Sequence, residues 1–150
     1  NLEVRLVSRR AVAQIDAQTA VDASGQVLGS EHLWPGLPLL HGFGLDAKAR
    51  RLDPAARTLL AALLPLFDIP TLAPAAVEWQ EPDDVRLVLA DSGAQVRLDA
   101  SRADTELLKL RVFEASLGSE PMPGAIDLRF QDQVVVRNGG GGHNARVRTR

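Results

Sequence analysis

The chain has 150 residues, a formal net charge of −2, 45% hydrophobic and 24% charged residues, the make-up of one ordinary globular domain with room for a core. It has no cysteine, which excludes disulfides, thiolate metal sites and a cysteine nucleophile and leaves the compartment open. No apolar run approaches the ~18 residues of a membrane span, but the first residue is Asn1 rather than Met, so the chain reads as a piece of a longer protein. Residues 1–136 carry 13 basic against 19 acidic side chains, whereas Arg137 to Arg150 hold four Arg and no acid. The acidic body repels a phosphate backbone, so no nucleic-acid partner is expected.

Leu2, Val4 and Leu6 alternate with Glu3 and Arg5, the period of a half-buried strand. Val12, Ala13 and Ile15 continue in the same style. Ala20-Val21 and Val27-Leu28 flank Asp22-Ala23-Ser24-Gly25, a hairpin in which Gly25 supplies the positive φ. Pro35 and Pro38 exclude helix from Trp34 to Leu40, leaving a loop and a short strand ending at Gly42. Asp53-Pro54 opens the clearest helix, with an N-cap and a proline at its first position. Ala56, Leu59, Leu60, Leu63 and Leu64 form its stripe, and Pro65 and Pro70 limit its end.

Val77-Glu78-Trp79 reads as a strand. Val85 to Leu89 and Gln95 to Leu98 form a second hairpin about Asp91-Ser92-Gly93. A second helix begins near Asp104, carries Leu107, Leu108, Leu110, Arg111 and Phe113, and stops at Gly118. Ala125 to Phe130, with Ile126, Leu128 and Phe130 on one face, is followed by a glycine-free turn and the strand Val134–Val136. The glycine-rich residues 138–150 read as a flexible tail. The expected fold class is α+β: mostly antiparallel β-sheet with two helices packed on one face.

Catalytic material is scarce. His32, His41 and His143 are isolated, with no partner at metal-ligand spacing, and read as surface or capping residues. Gly42-Phe43-Gly44 and Gly139 to Gly142 fit no phosphate loop. Glu81, Asp83 and Asp84 lack the spacing of a calcium loop and read as a solvated turn. Ser92 lacks a nucleophile elbow. Trp34 and Trp79 read as core anchors. The expectation is therefore no enzyme and no cofactor. Val134–Val136 is apolar on both faces and late in the chain. It is either a covered strand or an edge that accepts a strand from another protein.

Residues 125 to 137, Ala-Ile-Asp-Leu-Arg-Phe-Gln-Asp-Gln-Val-Val-Val-Arg, resemble the closing hairpin of the FtsQ/DivIB bacterial cell-division proteins. Leu2 to Ala13 resembles the family's strand leading into an Arg-Pro-Val-Ala-like segment, with Ala11 where proline is common. Val21-Asp-Ala-Ser-Gly-Gln-Val-Leu28, Leu37-Pro-Leu-Leu-His-Gly42 and the helix containing Lys109-Leu110 follow in the family's order, so the resemblance spans residues 2–137. It implies three parts: residues 1–9 as the end of a preceding POTRA module, 10–137 as the β domain, and 138–150 as the tail. It also implies a non-enzymatic divisome scaffold in septum formation. The parent would be a bitopic protein of the cytoplasmic (inner) membrane, with this domain on the periplasmic side.

The resemblance further implies FtsB-like and FtsL-like partners, bound by β-strand addition at the terminal hairpin. Carried over by position, the contact residues are Phe130, Asp132, Gln133, Val134, Val135 and Val136. Phe130 stands where tyrosine is frequent, keeping the ring without the hydroxyl. Arg129 is expected to support the sheet's outer face. The alternative is another extracytoplasmic α+β adaptor of an envelope or secretion complex. A weaker idea gives the Arg-bearing tail an anionic lipid surface.

Overall fold

The computed structural model of the protein describes residues 10–28, 36–137 and 144–148. The expected strand over Leu2–Leu6, the end of a POTRA module over residues 1–9, Trp34, His32 and His143 lie outside the described residues.

The chain order is β1 (Ala11–Gln14), β2 (Ala20–Asp22), β3 (Val27–Leu28), β4 (Leu39–His41), β5 (Leu45–Asp46), β6 (Arg51–Leu52), α1 (Pro54–Phe67), β7 (Pro74–Glu81), β8 (Asp84–Leu89), β9 (Gln95–Leu98), α2 (Ala103–Leu117), β10 (Ala125–Asp127), β11 (Gln133–Arg137) and β12 (Asn144–Arg148). Ten strands form one sheet in the order β12-β11-β10-β9-β8-β7-β4-β1-β2-β3, and β5 and β6 form a separate ribbon. The pairings β1–β4, β4–β7 and β9–β10 are parallel and the other ladders antiparallel. This is the expected α+β class. Each parallel pairing needs a crossover, and α1 and α2 lie in two of these connections.

Local chemistry explains the elements. The Asp22 carboxylate accepts from Ser24 N–H at 2.9 Å and Gln26 N–H at 3.0 Å. With Gly25 at φ 84°, it closes the β2–β3 turn. The Asp53 carboxylate accepts from Ala56 N–H at 2.8 Å, capping α1 as its Asp-Pro start requires. Pro65 lies inside α1 rather than ending it. It falls in the last turn, where Leu66 still buries fully against the core. Gly42, at φ 81°, lies against the Trp79 carbonyl where a Cβ would clash, so β4 and β7 can approach closely only with glycine there. Trp79 is half-buried and meets Phe43 edge-to-face at 5.4 Å, the anchoring role expected of it.

The β8, β9, β10 and β11 strands alternate buried and open positions. Val85, Leu87, Val96, Leu98, Ile126, Val134 and Val136 face the core with Leu107, Leu110 and Phe113 of α2. The opposite face carries Arg86, Arg97, Asp127 and Val135 as half-exposed residues. Leu108 departs from the expected stripe of α2. It is 57% exposed, because Leu107, Leu110 and Phe113 already fill the helix's core-facing arc.

The C-terminal margin differs most from expectation. Within the segment read as a flexible tail, Asn144–Arg148 forms β12, antiparallel to β11 over five registered pairs from Gln133↔Arg148 to Arg137↔Asn144. Val134–Val136 is therefore not the sheet edge. The physical reason is that β11 has a second ladder of backbone groups to satisfy, and a chain returning by a short connection can satisfy it. The β5–β6 ribbon was also unforeseen. It turns through Arg50 at φ 51°, with the Asp46 carboxylate accepting from Lys48 and Ala49 N–H.

Candidate partner-binding site

The six expected contact residues fall together on β11 and the turn before it. Val134 and Val136 are buried under α2, while Gln133 and Val135 are half-buried. Asp132 has φ 56°, so the glycine-free turn is closed by an aspartate in the left-handed region, which Asp tolerates better than most residues. Phe130 does not share the face of Ile126 and Leu128. β10 ends at Asp127, the alternation lapses, and the Phe130 ring is 45% exposed.

That ring stands beside a shallow depression of about 390 Å³ on the outer sheet face, lined also by Arg86, Arg97, Asp127, Val135 and Arg137. Charges around it are mostly matched. Asp84 lies 3.5 Å from Arg86 and 3.2 Å from Arg97. Asp127 chelates Arg129, with Nε donating to one carboxylate oxygen at 3.0 Å and Nη2 to the other at 2.8 Å. Arg129 thus supports the outer face, as expected. Burial is the largest single influence on the Asp127 carboxyl and would raise its pKa. The hydrogen bonds from the Arg129 side chain and backbone outweigh it and hold the carboxyl below the usual carboxylate value. Asp84 behaves alike, burial being overcome by Arg86 and Arg97. In the acidic turn of Glu81, Asp83 and Asp84 it is thus Asp84 that is ion-paired, and no metal-holding cluster exists among the described residues.

Sequence reasoning missed how the turn is held. Lys109 Nζ, from α2, donates to the carbonyls of Leu128 at 2.6 Å, Phe130 at 2.7 Å and Gln133 at 3.3 Å. Arg102 Nη2 donates to the Arg129 carbonyl at 2.9 Å. Two cations, Arg102 at the N-cap of α2 and Lys109 in its middle, thus cap four carbonyls where β10 and β11 separate, the Phe130 carbonyl also accepting from Gln133 N–H at 3.3 Å. Burial pushes the Lys109 ammonium's pKa down. Glu106, 2% exposed, accepts from Asp99 N–H at 2.8 Å and pairs with Arg102 at 3.2 Å. Burial nevertheless raises its pKa. The available sequence signal was Lys109 itself, one of two lysines in a chain with 15 arginines, set on the helix that packs over the hairpin.

His41 is exposed at the end of β4 and no carboxylate cluster converges on it among the described residues. Fold and site together define an α+β domain whose most elaborated surface is a braced, aromatic-tipped terminal hairpin. The family model described as "Cell division protein FtsQ/DivIB, C-terminal" matches residues 11–129, and the chain belongs to that family. The match ends one residue before Phe130. No curated protein matches the chain in the parallel comparison. The family places this domain in bacterial cell division, as part of a non-catalytic divisome component with an extracytoplasmic domain. No helix among the described residues is long and apolar enough to cross a membrane.

Proposed function

We propose that this domain is a divisome scaffold that recruits FtsB-like and, through them, FtsL-like proteins by strand addition at its C-terminal hairpin. The domain itself performs no catalysis and sits on the periplasmic side of a membrane-anchored parent. The observation that carries the reading is the braced hairpin: an exposed Phe130 beside β11, with the turn carbonyls capped by Lys109 and Arg102. A preorganised backbone lowers the entropy lost on binding. An aromatic anchor commonly supplies a large share of interface energy. Backbone groups of Val134 and Val136 provide the ladder bonds on the outer side of β11, Val135 presents its side chain between them, and Asp132 and Gln133 set the register at the turn.

The test is a pull-down with the extracytoplasmic segment of the FtsB-like protein encoded in the same genome. Phe130→Ala and Val135→Pro are each first shown folded by circular dichroism. Proline at 135 deletes the donor that ties β11 to Asp127 of β10 and so disturbs the strand that is presented. Both variants are expected to lose capture of the segment; retention by both would overturn the site assignment.

A further inference from the structure

The structure puts a strand of this same chain on the margin where the proposed partner strand would lie. β12 is the outermost strand and covers β11 over its whole length. A strand has one backbone ladder on each side, and the other side of β11 is taken by β10. A foreign strand and β12 therefore cannot both pair with β11.

We infer that Asn144–Arg148 is an intramolecular placeholder, which occupies the recruitment edge in the unbound domain and yields it to the partner strand. The inference rests on the strand-addition reading. The composition of β12 makes it a weak competitor. Its sequence Asn-Ala-Arg-Val-Arg contains one β-branched residue, against three in the Gln-Val-Val-Val-Arg of β11. Opposite the buried Val136 the register sets Ala145, so a strand with leucine or isoleucine there buries more apolar area. The register also sets position 146 diagonal to Arg137, where a residue of opposite charge would be favourable. Residues 139–142 of the connection are all glycine, the residue with the largest entropic cost of ordering. The tether nevertheless keeps the strand at high effective concentration. The placeholder thus covers an adhesive edge while lowering partner affinity by the fraction of domains in which it is paired. The strand that displaces it is extended, bulkier at the position facing Val136, and acidic rather than basic at the position facing Val135.

Two tail variants of opposite sign test this in the full chain, with the same FtsB-like segment, fluorescently labelled, as probe. Val147→Pro removes a ladder donor from β12 and is expected to tighten binding by roughly tenfold. Ala145→Ile strengthens β12 and is expected to weaken binding several-fold. Unchanged affinity in both overturns the inference, and so does weaker binding by Val147→Pro, which would mean that the partner adds to the outer side of β12. Amide hydrogen exchange without any partner supplies a separate readout. Val147→Pro should speed exchange along Gln133–Arg137, and unaltered exchange overturns the placeholder. If exchange speeds up but no variant binds the segment, the strand-addition reading fails while β12 is confirmed as an edge cover without a competitor.

Discussion

Lys109 gives one ammonium to three carbonyls of the turn, of which Phe130's also accepts from Gln133 N–H at 3.3 Å. Without it those oxygens would be left short of donors beside a helix, at a cost typical of lost charge-assisted bonds. We expect Lys109→Met to lower unfolding free energy by about 2 kcal/mol, measured by urea titration, and to weaken capture of the FtsB-like segment by loosening the turn that presents Phe130. Lys109→Arg should restore only part of this, because a planar fork cannot point at three converging oxygens as a compact ammonium does. Asp132 makes a complementary case. Its φ of 56° costs a β-branched residue roughly 1–2 kcal/mol, so Asp132→Val should destabilise by about that amount. Asp132→Gly should be close to neutral in the same titration.

At the scale of elements, α2 joins scaffold to site. Its buried side packs on β9, β11 and α1, and its Lys109 reaches the turn. Leu110 is fully buried at this junction, and we expect Leu110→Ala to cost about 3 kcal/mol in chemical denaturation, with partner capture falling in parallel. These helices were legible in the sequence because their signals are local: Asp53-Pro54 at a start, leucines at helical spacing, Gly118 at a stop. The hairpins about Gly25 and Gly93 were legible for the same reason. What escaped notice depended on distant partners. β12 exists because β11 offers it a ladder, and nothing in Asn-Ala-Arg-Val-Arg announces a strand. Phe130 leaves the face of Ile126 and Leu128 because β10 stops at Asp127, where the carboxylate turns to hold Arg129. Alternation alone cannot place that stop. The expected contact residues rest on the resemblance, whereas the bracing of their turn by Lys109 and Arg102 required the packing of α2 over it.

Across the whole molecule, the carboxyls moved from their ordinary pKa gather mainly at the hairpin end of the sheet: Asp84, Asp99, Glu106 and Asp127, with Asp16 apart from them. For Asp99 the Ser101 hydroxyl is the chief cause of the lowering, burial opposing it. Asp84, Asp99 and Asp127 are lowered from the ordinary value of 3.8. A carboxyl lowered in the folded state contributes stability that is present above its unfolded pKa and is lost as pH falls through the folded one. Glu106 has the opposite sign. Its folded pKa is raised above 4.5, so its charged form costs stability at neutral pH, and that cost is relieved as pH falls through the raised value. The two signs occupy different windows. On lowering pH from neutrality, stability should first rise slightly as Glu106 takes a proton, then fall below about pH 4 as the aspartates do. Urea midpoints measured across this range check the shape. Glu106→Gln should abolish the initial rise, and Asp127→Asn should lower neutral stability while flattening the acid limb. Because three of these aspartates surround β8–β11 and the turn, partner capture should fail at a higher pH than the fluorescence of Trp79 on β7, read in a Trp34→Phe background, reports for its own surroundings. Coincident loss of both signals would show instead that the sheet melts as one unit, with no separate weakness at the hairpin end.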